Sequence, residues 1–315
     1  MLDMHFDLLT LLYYANNAAI DKKDEIYSKL KEVYKTIDGG IINLYFMSKS
    51  EMFEELDISI DSSFSVLEML KQSIVYLDEF VSTLDREPTF YYSIEGLDYV
   101  NEIDEINKLY ELGVRSILPV WNNDNHFGGG SKGVSGLTNL GKDLLRRCIE
   151  LGIIIDMSHM NEITFDDTIK FLENEKNNNV DFKAMVSHSN IYELCNHKRN
   201  LKDYQILKLN NVGGYFGLVM YNLFIYEEYE NKDSVFLEDY FVLHIQHLID
   251  LGINLDKIFI STDNMILLGD KYTSNKFLFD LSTTKKNTID LLSKSYDESF
   301  IENILYNNAN NFLNN

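Results

Sequence analysis

The stretch Leu112-Gly113-Val114-Arg115-Ser116-Ile117-Leu118-Pro119-Val120 contains one copy of a pattern that recurs along the chain. Leu112-Gly113 ends a helical pattern, and an apolar strand candidate follows at once. A glycine just past a helix adopts the left-handed conformation that lets the chain turn into a strand. The same Leu-Gly pair precedes apolar runs at Leu151-Gly152 and Leu251-Gly252. Asp38-Gly39-Gly40 is expected to end a helix in the same way before the second strand candidate. The chain therefore repeats a helix, a turn and a strand.

Eight strand candidates alternate with helical patterns from end to end, without a linker or a low-complexity segment. They are Leu2–Phe6, Ile41–Phe46, Thr89–Ile94, Val114–Val120, Ile153–Met157, Lys183–Ser187, Tyr215–Met220 and Lys257–Ser261. Eight alternations favour an α/β fold with a closed parallel (β/α)8 TIM-like barrel over an open doubly wound sheet. The first crossover also lacks the GxGxxG of a dinucleotide fold. We expect a single barrel domain over residues 1–315.

Composition excludes several classes of function. The formal net charge is -22, and no segment concentrates Lys and Arg enough to neutralise phosphates, so we expect no nucleic-acid partner. No basic segment followed by an apolar one opens the chain, and no run of 18 apolar residues occurs, which indicates a cytoplasmic protein. Cys148 and Cys195 form no CxxC pair, and Cys148 is expected to be a reduced, buried thiol.

Residue types that ligate metals recur where strand candidates end. In a parallel barrel the functional side chains stand at the carboxyl ends of the strands. His5 and Asp7 are two residues apart and therefore point to the same side of the first strand. The six candidates, three histidines and three acids, are His5, Asp7, Glu95, His159, His188 and Asp263. Such a set at corresponding strand ends predicts a metal centre.

The number of candidate ligands indicates two ions. A mononuclear catalytic zinc usually takes three protein ligands, whereas two ions that share one carboxylate would use five. Glu95 is the natural bridge, because its strand lies between the strands of the two ligand groups. Such a pair holds a hydroxide at neutral pH, and that hydroxide is a nucleophile for a carbonyl carbon.

A series of motifs through nearly the whole chain supports this interpretation. They are Asp3-Met4-His5-Phe6-Asp7, Ile94-Glu95-Gly96, Leu112-Gly113-Val114-Arg115, Gly136-Leu137-Thr138 with Gly141, Ile155-Asp156-Met157-Ser158-His159, Ser187-His188-Ser189-Asn190 and Arg199-Asn200. In this order they resemble the membrane (renal) dipeptidase family, binuclear zinc dipeptidases of the amidohydrolase type, in the form of a bacterial cytoplasmic member. The resemblance implies a barrel of the metal-dependent hydrolase type and two Zn2+ ions per chain.

The resemblance also implies roles for individual residues. One zinc would be held by His5, Asp7 and Glu95, and the other by Glu95, His159 and His188. Arg199 matches an arginine that grips the free carboxylate of the substrate, a role suited to the guanidinium fork. Asp263 matches an acid that contacts the substrate amine and shuttles the proton to the leaving nitrogen. Tyr221 matches a tyrosine that lines the substrate pocket.

This chain departs from the family pattern at two places. Where animal members have a histidine that steadies the oxyanion, it has Trp121-Asn122. The oxyanion could be held by the Trp121 indole N–H, by Asn122 or by zinc alone, and Trp121 could instead be only a pocket wall. The family usually reads Asp-Phe-Asp-Gly after strand 8, but this chain reads Asp263-Asn264-Met265-Ile266, so the resemblance does not extend to the shape of this loop or to the substrate fit that depends on it. The end, Phe312-Leu313-Asn314-Asn315, has no hydrophobic tail, so no membrane anchor is expected.

The sequence therefore predicts a zinc dipeptidase that uses a metal-bridging hydroxide, with a small peptide substrate that includes dipeptides with a C-terminal D-residue. Glu95 and Asp263 are the expected catalytic residues; Arg199, Tyr221, Trp121 and Asn122 are the expected substrate contacts. Two alternatives stay open: a related hydrolase for another amide, a lactone or a phosphoester, and a degenerate barrel without turnover. Homodimer formation is also left open. His244 and His247 are expected to lie at the surface or half-buried.

Overall fold

One sheet of eight parallel strands, ordered β1 to β8 as in the sequence, forms the centre of the computed structural model, which describes residues 1–17, 23–45, 65–264 and 276–315. The strands are β1 Leu2–Phe6, β2 Gly39–Tyr45, β3 Thr89–Glu95, β4 Val114–Leu118, β5 Ile154–Asp156, β6 Ala184–Val186, β7 Tyr215–Val219 and β8 Ile258–Ser261. Each pairs in parallel with the next. The predicted (β/α)8 TIM-like barrel is confirmed.

Strand β8 returns to β1 and nearly closes the barrel. The backbone N–H of Asp263 donates to the carbonyl oxygen of His5 at 3.0 Å. Just below, the Asp3 carboxylate accepts the backbone N–H groups of Thr262 at 3.0 Å and of His5 at 3.2 Å. Buried carboxylate bonds of this kind hold the two strand ends in a fixed relation. They also bring the first and last predicted site residues together.

Helices surround the sheet. They are α1 Leu8–Asn17, α2 Lys23–Tyr34, α3 Val66–Val81, α4 Asp104–Glu111, α5 Asn139–Leu151, α6 Glu162–Asn177, α7 Asp203–Asn211, α8 Asn222–Ile225, α9 Ser234–Asp250, α10 Thr284–Leu292, α11 Glu298–Glu302 and α12 Asn308–Asn314. A π-helical turn, Asn303–Asn307, joins α11 to α12. Several begin at a side-chain cap, such as Thr138 before α5 and Asn161 before α6. Within the described ranges, no helix is both long and apolar enough to cross a membrane.

The prediction that a glycine turn joins a helix to the following strand is confirmed at three places and wrong at one. Gly113, Gly152 and Gly252 have positive φ angles of 100°, 68° and 81° at the turns that follow helices. Gly39 and Gly40 are instead the first residues of β2. A Cβ at Gly40 would lie 1.8 Å from the Asp3 carbonyl oxygen, so glycine is required there by close backbone approach.

The amino end of the barrel is plugged by the last helix. Phe312, Leu313 and Ala309 of α12 pack with side chains from the strands that include Met4 and Phe259. The side chain of Asn308 donates to the carbonyls of Leu255 and Ile258, which fixes α12 against the start of β8. The opposite, carboxyl end of the barrel carries the site.

His244 contradicts the expectation that it lies at the surface or half-buried. It is fully buried on α9, where Nδ1 accepts the backbone N–H of Ile191 at 3.1 Å and Nε2 contacts the Ile225 carbonyl at 2.9 Å. The loop after β6 and helix α8, which follows β7, cover this face of the helix. His247, one turn later, is partly exposed and contacts Asp203 at 2.7 Å. Cys148 and Cys195 are both free and buried.

Candidate active site

Glu95 lies at the centre of the ligand-type residues, at the carboxyl end of β3. Its Oε2 is 3.2 Å from His5 Nε2, and its Oε1 is 2.9 Å from His159 Nε2. His188 Nε2 is 3.6 Å from the same Oε1. The structure thus brings side chains from β1, β3 and the ends of β5 and β6 to one point, and each histidine turns Nε2 toward this carboxylate.

Three groups of donor atoms form around Glu95. In each group the candidate ligand atoms lie within 4.8 Å of one another: His5, Asp7 and Glu95; Glu95, His159 and His188; and His5, His188 and Asp263. The first two are the sets that the sequence proposed, and the third adds Asp263, whose Oδ1 is 3.7 Å from His5 Nε2. Glu95 belongs to both of the first two sets.

Two of these residues have an unusual backbone conformation that sets the direction of their side chains. His159 and Asp263 have φ angles of 67° and 50°, in the left-handed region that residues with a side chain seldom adopt. His159 lies three residues after β5 and Asp263 two residues after β8, and both side chains line the cleft at the barrel mouth. Such conformations cost energy and persist only where the surrounding packing enforces them.

The buried ionisable groups of the site shift one another's pKa values. Burial alone would lower the pKa of His5, but the Glu95 carboxylate raises it to about 10. Burial and Glu95 raise the pKa of Asp7 well above its usual range, and burial, with Glu95 adding to it, raises the pKa of Asp263 to about 7. Burial holds the pKa of His188 well below its usual range. Carboxylates that raise one another's pKa in a buried site are stabilised by a cation.

Orphaned polar atoms show that the residues fit a metal. Asp7 Oδ1 and His188 Nε2 are buried and have no hydrogen-bond partner in the described part of the chain. A buried acceptor without a partner costs free energy unless an ion or water supplies the missing contact. One such atom lies in each of the two donor sets that share Glu95. Imidazole nitrogen and carboxylate oxygen are donors that zinc accepts.

A cleft of about 390 Å³ opens over these donors. Its lining includes the predicted contacts Trp121, Asn122, Arg199 and Tyr221, together with Asp7, Glu95, His159 and Asp263. The Trp121 ring packs against Tyr45 and His159, with centroid distances of 4.6 and 5.9 Å. Asn122 Oδ1 accepts a hydrogen bond from Ser131 Oγ at 2.7 Å, which fixes the orientation of its amide.

Arg199 is almost fully buried at the side of this cleft, with 7% of its surface exposed. Its Nη2 donates to the His188 carbonyl at 3.4 Å, its guanidinium faces the Phe224 ring at 5.5 Å, and its Nε has no partner in the described residues. The loop is held by Asn200, whose side chain donates to the carbonyls of Cys195 and Phe224. A buried guanidinium with an unused donor is arranged to receive an anion.

Sequence reasoning missed two residues that organise the site. Asp3 ties β1 to β8, and the i, i+2 spacing that links His5 to Asp7 also links Asp3 to His5 and could have revealed it. Ser187 contacts two of the candidate ligands. Only its position next to His188 pointed to it. Met265 and Ile266, where the chain departs from the family loop, lie outside the described residues.

The barrel and its buried imidazole and carboxylate donors define a metal-dependent hydrolase. Membrane dipeptidase (peptidase family M19) is the family whose sequence pattern matches residues 2–314. The chain belongs to this family. It is thus an enzyme of the metallo-dipeptidase class, with a metal cofactor.

Individual proteins are also similar to this chain in sequence or in fold. The chain is 31% identical over 225 residues to an uncharacterised protein from the pqqA 5′ region of Klebsiella pneumoniae, an alignment that spans 68% of this chain and 77% of that protein. It is 26% identical over 277 residues to the dipeptidase aclJ of Aspergillus oryzae, spanning 77% and 61% of the two chains. In fold it resembles a Rhodobacter sphaeroides metallo peptidase liganded with a phosphinate mimic of L-Ala-D-Ala, with a TM-score of 0.75, 20% identity, and coverage of 99% and 97%.

Proposed function

We propose that this protein is a zinc dipeptidase that holds two ions, one among His5, Asp7 and Glu95 and the other among Glu95, His159 and His188. The observation that carries the proposal is the split of the Glu95 carboxylate, whose Oε1 and Oε2 face His159 and His5 respectively. A carboxylate with its two oxygens turned to separate donor sets is suited to bridge two ions. The orphaned atoms of Asp7 and His188, one in each set, support the same assignment.

When bound, the two ions would supply the Lewis acidity that lets water attack a peptide carbonyl carbon at neutral pH. Asp263 is proposed to take the proton of the attacking water and to return it to the nitrogen as the C–N bond breaks. Its position 3.7 Å from His5 supports this role, because a carboxylate beside the metal donors is within reach of the attacking water. The products are two free amino acids.

The substrate is proposed to be a dipeptide with free ends. Arg199, which lines the cleft, binds the carboxylate through its guanidinium, and Asp263 lies on the metal side of the cleft, where it contacts the substrate amine. Tyr221 and Trp121 form walls, and the N–H groups of Trp121 and Asn122 are candidates to steady the carbonyl oxygen. Because the Rhodobacter neighbour holds a mimic of L-Ala-D-Ala, we include dipeptides with a C-terminal D-residue. We also propose residues 1–315 as one domain.

The proposal is tested by assaying L,L- and L,D-dipeptides with metal-free and zinc-loaded protein while the zinc content of the same samples is measured. The expected result is hydrolysis by the loaded protein only. Dipeptides blocked as C-terminal amides are the matched controls and are expected to be poor substrates. If the zinc-loaded protein hydrolyses an amide, lactone or phosphoester but no dipeptide, the dipeptidase proposal is wrong.

A further inference from the structure

Ser187 places one hydroxyl group between two of the proposed ligands. Its Oγ lies 2.7 Å from His188 Nδ1 and 3.1 Å from His5 Nδ1. Ser187 is completely buried, and the two imidazole rings pack with their centroids 3.7 Å apart. In the proposed function, His5 and His188 belong to different ions. One side chain therefore touches both halves of the site without facing the cleft.

The number of hydrogen bonds that a hydroxyl group can donate and accept determines how Ser187 interacts with the two histidines. A neutral imidazole carries one proton, so a histidine that binds a metal through Nε2 must carry that proton on Nδ1. A hydroxyl oxygen accepts two hydrogen bonds and donates one. Ser187 can accept the Nδ1–H of both histidines, which uses both of its acceptor positions. Its own proton is then left to donate to a third group, and the Asp156 carboxylate, with which the Ser187 side chain also interacts, is an acceptor for it.

The rest of the cluster holds Ser187 in place. Its backbone N–H donates to Asp156 Oδ1 at 3.1 Å and to Ser158 Oγ at 3.0 Å. Asp156 Oδ1 also accepts the backbone N–H of Ser158 at 3.0 Å, which joins the ends of β5 and β6. The hydroxyl group is therefore presented by a rigid, hydrogen-bonded backbone. Partners that orient metal-binding histidines in this way typically contribute 10- to 100-fold in metal affinity.

We propose that Ser187 is a positioning residue shared by both metal sites: it fixes the Nδ1–H tautomer of His5 and His188 and so directs both Nε2 lone pairs to the ions. This inference rests on the ligand sets of the proposed function. It assigns to one hydroxyl group an effect on both ions, whereas His159, whose Nδ1 has no partner among the described residues, lies outside its reach.

The test measures zinc affinity by competition with a chelator for the full chain and for two variants. Ser187→Ala leaves two buried Nδ1–H groups without an acceptor, and both zinc ions should bind about 10- to 100-fold more weakly. Ser116→Ala is the matched control, because Ser116 is an equally buried strand serine whose hydroxyl has no partner among the described groups. Its zinc affinity should stay that of the parent. Parental affinity for both ions in Ser187→Ala would overturn the proposal.

A second measurement needs no variant, so it decides the question even if Ser187→Ala does not fold. Long-range ¹H–¹⁵N NMR of the zinc-loaded, histidine-labelled protein should show His5 and His188 protonated on Nδ1 and coordinated through Nε2. Coordination through Nδ1 at either residue would refute the assignment. Neither readout uses peptide hydrolysis. Normal zinc binding without dipeptide turnover would therefore contradict the proposed function and leave the role of Ser187 standing.

Discussion

The backbone N–H of Asp263 donates to the carbonyl oxygen of His5 at 3.0 Å, which joins the last strand to the first at the level of the site. The same pair meets through side chains, with Asp263 Oδ1 3.7 Å from His5 Nε2. Because the backbone bond fixes Asp263 independently of its carboxylate, the charge of that side chain can be removed without moving the residue.

Asp263→Asn is therefore expected to keep the fold and both ions but to lose turnover. The amide has the shape of the carboxylate and cannot carry the proton, and general acid–base help is worth about 10²- to 10⁴-fold in rate. Steady-state kinetics on a dipeptide, with zinc content measured in parallel, checks this. Full activity in the zinc-loaded variant would assign the proton transfer to another group.

Arg199→Ala should lower kcat/KM for a dipeptide, because the buried guanidinium no longer pairs with the substrate carboxylate. The decrease should correspond to a loss of about 2–4 kcal/mol of transition-state stabilisation. Arg199→Lys keeps the charge without the planar fork and should recover only part of the loss. The same variants assayed on a C-terminal amide should change little. An equal loss on the acid and on the amide would show that Arg199 does not bind the carboxylate.

Glu95→Gln should weaken both metal sites at once, whereas His188→Ala should weaken mainly one. A neutral amide offers one oxygen to the ions where the carboxylate offers two, and the two oxygens of Glu95 face different histidines. Zinc titration of each variant gives the stoichiometry. If Glu95→Gln retains one site with parental affinity, Glu95 does not bridge.

Buried His244 makes an acid-sensitive contribution to stability. Burial lowers its pKa from 6.5 to about 4, so the unfolded chain binds the proton first as the pH falls. The contribution of His244 to the free energy of unfolding is fully present above pH 6.5. As the pH falls toward 4, the free energy of unfolding decreases by up to about 3 kcal/mol. Urea unfolding between pH 4.5 and 8 should show this slope in the parent and a shallower one in His244→Gln.

The control for this experiment is His247→Gln, which changes a partly exposed histidine of the same helix. It should keep most of the acid destabilisation of the parent, because burial, the main cause of the lowered pKa of His244, is unchanged. If His244→Gln has the same pH slope as the parent, the acid sensitivity arises from other groups.

The sequence predicted the barrel and its strands because apolar runs and helix-ending glycines are local signals. Seven of the eight strand candidates agree with the observed strands within two residues at each end; the eighth, Ile41–Phe46, extends one residue beyond the described part of β2. Strand-end position then predicted which side chains meet, since parallel strands present their carboxyl ends together.

Other features depend on contacts that have no local signal. Ser187 reaches His5 only because the nearly closed barrel brings the ends of the first and sixth strands to the same mouth. His244 is buried by a loop and a short helix that follow two different strands, which helical periodicity does not reveal. The plug formed by Phe312 and Leu313 likewise arises from tertiary packing.

The proposed dipeptidase activity depends on two ions bound around Glu95. Elemental analysis of zinc per chain, in the same sample that is assayed for the hydrolysis of free dipeptides, tests both parts of this proposal together. We predict two zinc ions per chain, with activity that is lost on chelation and regained when zinc is restored. A zinc content of one per chain in fully loaded protein, or two ions without dipeptide hydrolysis, would contradict the account.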